Sequence, residues 1–380
     1  MFHYNPTRQP TLVRENDLRI VRRLPVNGEV HVKVGERVEA SVIVATGEQI
    51  PATTFVNVSR ALGIEPSATE VRLVKEPGQQ VSEGEVIARR RRGLRTLTVR
   101  STINGTFIRF DPLLGTALIR PPATRIELPA YVGGVIEEVE QTRGVTIRTF
   151  GSRFHGAFGV GKEAFGVLKV VGSDRQRPLS ADMIDNRSAR AILAVGGTVN
   201  AAALNKAVQV GVRGIIAGSI EESELISWLG AKESALWRVG LPSWQMPTAE
   251  GPLTLVITES FGSAPMAAPL YNVLAAADGM QTAVSGLTRL SGGLCRPEVV
   301  VLSSRSAGRS GDDLTLPIAS LEPGTAVRLL DHDHLGVLAT VFSGPRRQRL
   351  EGDLLTNAVT VTLPSGEQLH LPTANVEALV

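Results

Sequence analysis

Three stretches of this chain combine residue types and spacings that could do chemistry. Asp331-His332-Asp333-His334 alternates carboxylates with imidazoles. Alternate residues on a strand share a face, so His332 and His334 could ligate one metal ion together. A solvated hairpin turn is the competing reading. The second stretch is a set of strand ends: Gly196 and Gly197, Gly218 and Ser219, and Thr258, Glu259 and Ser260. If their strands are parallel, these seven residues converge on one rim, where open α/β sheets bind ligands and helix-start N–H groups can hold phosphate. Plain turn glycines are the alternative. The third is arginine-rich: Arg89, Arg90, Arg91, Arg92 and Arg95, with Arg346, Arg347 and Arg349 further on. Guanidinium groups at this density, read as a loop over residues 89–95, suit phosphate contacts, an acidic protein partner or plain solvation, and no aromatic residues are interleaved for base stacking.

Catalytic groupings are sparse. The six histidines are His3, His31, His155, His332, His334 and His370, and none falls between residues 173 and 302. No G-x-S-x-G elbow occurs, and Cys295 has no histidine near it in sequence. That single cysteine excludes an intrachain disulfide framework and a cysteine-ligated metal cluster.

These residues must be positioned by a chain of 380 residues, long enough for several domains. Hydrophobic residues at 43% and charged residues at 20% fit a globular protein. Plentiful glycine (38) and proline (22) with 4% aromatics suit short strands and turns. The net charge of +3 means that any anion binding must be local. No apolar run approaches the roughly 20 residues of a membrane span. The N-terminus is polar without a signal-peptide core, so a cytoplasmic protein without membrane insertion is expected.

Strand-like alternation with glycine turns runs from residue 18 to 120, with a short helix expected over 55–64. I-N-G-T-F at 103–107 echoes V-N-G-E-V at 26–30, suggesting two related half-barrels. Residues 127–171 read as a further β segment, with a turn at Gly144 and repeated glycines up to Gly166. The pattern changes after Arg177. A buried strand over 189–197, a helix ending at Gly211, a strand at 212–220, a helix ending at Gly230, a strand over 252–262 and a helix interrupted by Pro269 indicate a mainly parallel α/β sheet. Residues 303–313 have linker composition. Five short strands are expected beyond it.

The K-E-P-G-Q-Q-V-S-E-G-E-V-I-A stretch, 75–88, resembles the second half of a biotinyl/lipoyl-like barrel-sandwich hybrid domain. That resemblance implies either a swinging-cofactor carrier or a rigid docking module. Carriers place a lysine in an M-K-M or D-K-A triplet at a hairpin tip. This sequence has neither, and Lys33 and Lys75 are expected within strands, so no cofactor is implied. Residues 71–121 also resemble the barrel-sandwich part of electron-transfer subunits of the sodium-pumping or Rnf type, which join it to a flavin/NADH-binding α/β domain. Their cysteine ligands and long glycine-rich loop are absent here. The C-terminal 60 residues resemble the KOW/SH3-like barrel family, keeping Gly336 and Val341 of its glycine motif but lacking its first glycine.

The resulting expectation is a multidomain β and α/β protein. It has a barrel-sandwich hybrid at 1–125, a small glycine-rich β unit at 126–172, a Rossmann-like α/β domain at 173–302, a linker at 303–314 and an SH3-like barrel at 315–380. The leading functional reading is a non-catalytic scaffold that docks protein partners through its β modules. The alternatives are a nucleic-acid-associated factor using the arginines and the KOW-like barrel, and a ligand-binding or enzymatic α/β domain. Oligomeric state stays open.

Overall fold

Valine- and isoleucine-rich segments cut by glycine turns become strands along most of the chain, giving a β-rich architecture of several sheets. The computed structural model describes residues 13–93, 95–230, 252–259, 261–288, 296–303, 321–331, 333–350 and 354–378. Ser260, His332 and Cys295 lie outside the described residues, as does nearly all of the expected linker. No helix among the described residues is long and apolar enough to cross a membrane.

An eleven-stranded sheet organises the centre. Strands Glu163–Val170, Ile192–Ala194, Gly214–Ala217 and Thr254–Ile257 lie side by side and parallel. Helix Ala201–Val210 starts where Asn200 Oδ1 accepts the Ala203 N–H at 2.9 Å and ends at Gly211 with φ 81°, as its sequence signals require. Pro269 lies in the first turn of helix Ala268–Ala276. It therefore opens that helix instead of interrupting it, because the first turn needs no N–H donor there. Each face of the parallel strands is covered. Leu193, Ile215 and Leu255 pack with Ala203 and Leu204 on one side, and Ile192, Ile216 and Val256 with Leu270 and Leu274 on the other.

The sheet continues antiparallel from Glu163–Val170 through Gln281–Ser285 and Glu298–Leu302 to Gly144–His155. Helix Ala268–Ala276 backs this part too, through Val284, Val299 and Val301. On the opposite face, Ala283 and Val300 join Leu18, Ile20, Ile136 and Ile147 in a core shared with the N-terminal strands. Residues 126–172 contribute strands to more than one sheet. Their strands pair with Ile43–Gln49, Arg37–Val38, Val13–Arg23 and the central sheet.

The N-terminal β region contains one motif twice, the second copy nested inside the first. In the outer copy the sheet order is Arg37–Val38, Gly134–Glu140, Gly144–His155, Val13–Arg23. In the inner copy it is Gln80–Val81, Gly105–Asp111, Thr116–Arg120, Thr54–Asn57, again antiparallel throughout. Their loops repeat bond for bond. Gly35 N–H donates to Ile136 O and Gly78 N–H to Phe107 O, both at 2.8 Å; Ala130 N–H donates to Val42 O and Ser101 N–H to Glu85 O, both at 2.8 Å. Gly134 and Gly105 occupy equivalent positions, where a Cβ would lie 2.4 and 2.3 Å from the carbonyl oxygen of Arg148 and Arg120. Thus the counterpart of residues 103–107 is 132–136, not 26–30. Pairing register decides the correspondence, and text similarity alone cannot see it.

A second layer completes each copy. Ile43–Gln49 pairs with Thr124–Pro129 in the outer copy, and Val86–Arg92 with Arg95–Arg100 in the inner one. The inner copy enters the outer between Gln49 and Thr124, which are directly opposed. It has its own core of Val58, Leu62, Ile87, Phe107 and Ile119, and among the described residues its strands pair only with one another. The helix expected over 55–64 is shorter, Val58–Leu62, because Thr54–Asn57 is a strand and Gly63 turns left-handed at φ 60°.

The five expected C-terminal strands are Ala326–Leu329, Leu338–Leu350, Leu354–Thr362, Gln368–Pro372 and Val376–Ala378, the last pairing with the first. Val327, Leu329, Val341, Val359 and Val361 form their core. Gly336, at φ 85°, faces Gly262, at φ 103°, so closely that a Cβ on Gly262 would lie 2.8 Å from Gly336 O. This glycine contact and Arg328, whose Nη1 donates to Phe261 O at 3.0 Å, tie the C-terminal sheet to the central one.

Candidate nucleic-acid interface

Arg89 to Arg95 do not form a loop. They lie on a two-stranded antiparallel ribbon, Val86–Arg92 with Arg95–Arg100, in which Arg89 opposes Thr98, Arg90 Leu97, Arg91 Thr96 and Arg92 Arg95. The run reads as a loop in sequence because arginine on both faces hides the alternation of a half-buried strand. Ile87, Ala88 and Val99 root the ribbon in the inner core, and nearly every described residue beyond them is solvent-exposed. Period-two alternation puts Arg89 and Arg91 on one face with Thr96 and Thr98, and Arg90, Arg92 and Arg95 on the other with Leu97. Gly93, at φ 60°, begins the turn.

Within this cluster the arginines have different roles. Arg90 donates from Nη1 to the carbonyl oxygens of Leu62 and Gly63 at 2.9 and 2.8 Å, satisfying the end of helix Val58–Leu62. Arg100 Nη1 donates to Gly84 O at 2.7 Å. Arg89, Arg92 and Arg95 have no side-chain partner among the described residues. Arg92 and Arg95 face each other across the turn, and directly opposed like charges destabilise a strand pair unless an anion sits between them. Residues 86–100 contain six arginines and no acidic residue. From residue 54 to 120 there are eleven Lys and Arg against six Asp and Glu, a net +5. The whole chain nets +3, so everything outside the inner copy is slightly acidic.

Arg346, Arg347 and Arg349 also lie on a long hairpin, opposite Ala358, Asn357 and Leu355. Here the surroundings differ. Residues 321–378 hold four Arg against seven Asp and Glu, so this hairpin sits on a net negative module.

Gly196, Gly197, Gly218, Ser219, Thr258 and Glu259 do converge, linked by pairing of Thr198 with Ser219 and by Glu259 N–H donating to Gly218 O at 2.7 Å. The chain itself fills the rim. A Cβ on Gly196 would lie 2.3 Å from Arg175 O, and one on Gly197 2.5 Å from Arg177 O. Met266 N–H donates to Gly196 O, Ser219 Oγ to Ala264 O, and Ala267 N–H to Glu259 Oε1. Burial raises the Glu259 carboxyl above its ordinary range, and the Ala267 N–H partly offsets this. Its visible role is to accept a hydrogen bond from Ala267 at the start of helix Ala268–Ala276.

His334 lies in a turn, not on a strand, and pairs through Nδ1 with Asp331 Oδ2 at 2.7 Å. Among the described residues no three His, Cys, Asp or Glu groups are arranged to hold a metal. Lys33 and Lys75 flank turns instead of lying in strands, and Lys75 Nζ is held by Gln80 O and the Glu85 carboxylate. The turn joining the inner ribbon carries Gly93 and Leu94 and no lysine.

One polar cluster has no signature in the sequence. Glu163, Ser285, Glu298 and His155 face one another in a row across four strands. Arg22 reaches them from the N-terminal strand, gripping Glu163 with both terminal nitrogens at 2.7 and 2.6 Å and lying 5.1 Å above the Tyr131 ring. Tyr131 is buried at φ 73°, and its hydroxyl has no partner among the described residues. Burial, and then the Glu298 and Glu163 charges, push that hydroxyl well above the usual phenol range. Burial first, then Arg153 and Arg296, lower His155 from 6.5 to about 4. Burial also raises Glu298. These groups come from segments up to 276 positions apart (22 to 298), so only tertiary pairing unites them.

The lowered His155 makes the folded state bind fewer protons than the unfolded chain, so its contribution is complete above pH 6.5 and is lost as pH falls toward 4. The shift is worth about 3 kcal/mol by linkage, which screening of a side chain still 32% exposed reduces to about 1. Glu298 acts with the opposite sign. Urea midpoints of the parent are therefore expected to fall between pH 6.5 and 4.5, with His155→Gln flattening the profile. An equally steep profile in the variant would contradict the assignment.

Compared with models of known protein families and with curated proteins, the chain matches none.

Proposed function

We propose that this chain is a non-catalytic, multidomain binding protein that grips the phosphates of nucleic acid with the ribbon of residues 86–100. The observation that carries this reading is the opposed Arg92–Arg95 pair at a solvent-exposed tip, in a stretch with no acidic residue. Two strands about 5 Å apart fit the major groove of B-form DNA, roughly 12 Å wide, whereas the major groove of duplex RNA is too narrow for them. Duplex DNA is thus the favoured partner.

The nested copies, each a four-stranded sheet under a smaller sheet of three strands in the outer copy and two in the inner, support reading the N-terminal region as barrel-sandwich hybrid modules that present the ribbon. The five antiparallel strands of residues 326–378 support an SH3-like barrel, whose acidic balance argues against a phosphate-binding role. The parallel strands with helices on both faces support a Rossmann-like framework. A protein partner on the same module is the second reading. It is favoured by Leu113 and Leu114, which are 88% and 63% exposed at a hairpin turn of the inner copy.

Fluorescence anisotropy with a labelled DNA duplex tests the proposal. Combining Arg89→Ser, Arg92→Ser and Arg95→Ser is expected to weaken binding about 100-fold at low salt. Arg346→Ser with Arg347→Ser is expected to change it by less than about threefold. Equal affinity of the ribbon variant and the parent would sink the reading. Recovery of a nuclease-resistant protein complex lost on Leu113→Ser with Leu114→Ser would favour the second.

A further inference from the structure

A cavity of about 480 Å³ opens where the outer β copy meets the central sheet, lined by Glu39 on one side and by Phe165, Val167, Arg190, Arg213 and Leu302 on the other. We infer that it is a binding site for a small monocarboxylate with an apolar body. Its size and its place between two modules are those of ligand sites. Phe165 and Val167 come from strand Glu163–Val170 and Leu302 from strand Glu298–Leu302, next but one in the antiparallel section, offering an apolar floor. Val167 is 44% exposed, leaving that floor open to a ligand.

Two guanidinium groups border this floor. Arg213 lies 5.2 Å from the centre of the Phe165 ring and donates from Nη1 to Phe165 O at 2.7 Å. One bond fixes the group, and its remaining N–H donors stay available for a planar carboxylate. Arg190 is one of two non-glycine residues with positive φ among the described residues, at 61°. Its backbone is pinned there by its N–H donating to Gly211 O at 2.8 Å and by its carbonyl pressing on strand Glu163–Val170, where a Cβ on Gly166 would lie 2.5 Å away. Glycine would meet this conformation at lower cost, so what arginine adds is its guanidinium. That group is exposed and has no partner among the described residues. Against two arginines stands one carboxylate, Glu39, which leaves the lining at +1, matched to a monoanion.

Saturation-transfer NMR on the full chain, with benzoate as probe and benzyl alcohol as its neutral counterpart, tests this site. Benzoate is expected to receive saturation and to titrate, with benzyl alcohol binding at least about tenfold more weakly. Arg213→Gln should weaken benzoate about tenfold. Arg190→Gly should weaken it similarly while leaving the melting temperature unchanged or raised, because glycine relaxes the left-handed backbone. The second variant separates binding from folding. Absence of transfer to benzoate, equal binding of benzyl alcohol, or parent-like affinity in Arg190→Gly would each overturn the inference. The DNA-binding ribbon is untouched by these substitutions, so this outcome is independent of that reading.

Discussion

Replacing Arg328 with alanine is expected to cost about 3 to 5 kcal/mol of folding stability, the largest loss from any single side chain considered. Arg328 is 1% exposed and donates through Nε and Nη2 to Glu377 at 2.9 and 2.7 Å, as well as to Phe261 O. Burial already raises the Glu377 carboxyl, and Arg328 holds it down. Without the guanidinium, Glu377 is left as an uncompensated buried charge, or must take up a proton. The Phe261 carbonyl also loses its donor. Converting both partners, Arg328→Met with Glu377→Leu, removes the charge problem and is expected to recover most of the loss. Urea denaturation of the single and double variants measures both quantities. An alanine variant within about 1 kcal/mol of the parent would mean that the C-terminal sheet does not depend on this link.

Excision of the inner β copy is expected to leave the rest of the chain folded while abolishing DNA binding. Gln49 and Thr124 are directly opposed, as are Arg92 and Arg95 in the equivalent strand pair of the inner copy. There the native connection is the two residues Gly93 and Leu94. Asn-Gly in place of residues 50–123 therefore reproduces, in the outer copy, a connection of the length the inner copy already uses. The inner core is separate from the outer one, so no buried surface of the outer core is opened. A melting temperature within about 5 °C of the parent, with no retention of duplex DNA, is the expected pair of results. A chain that loses cooperative unfolding would show that the inner copy supports the outer.

Local signals were readable wherever one residue decides one conformation. Gly211 ends its helix in the sequence as in the structure, and the apolar strands before and after that helix lie parallel as their pattern implies. Pro269 reads as an interruption because a proline inside an apolar run marks a break or a first turn equally well, and only the start at Ala268 separates the two. The nesting was not legible. It rests on pairs such as Val38 with Gly134 and Ile43 with Pro129, more than 80 residues apart, and the periodicity of each strand says nothing of its partner. The arginine cluster was visible as a charge run, but its ribbon form was not, since both faces are polar. The Arg22, Tyr131, Glu163, Glu298 and His155 cluster follows from pairing alone.

The salt dependence of duplex binding tests the central claim most directly. With Arg89, Arg91, Arg92 and Arg95 on phosphates, a plot of log affinity against log salt is expected to have a slope of about −3 to −4. The Arg89, Arg92 and Arg95 serine variant should flatten to about −1. A parent slope near zero, or the same slope in both proteins, would contradict a phosphate-binding ribbon.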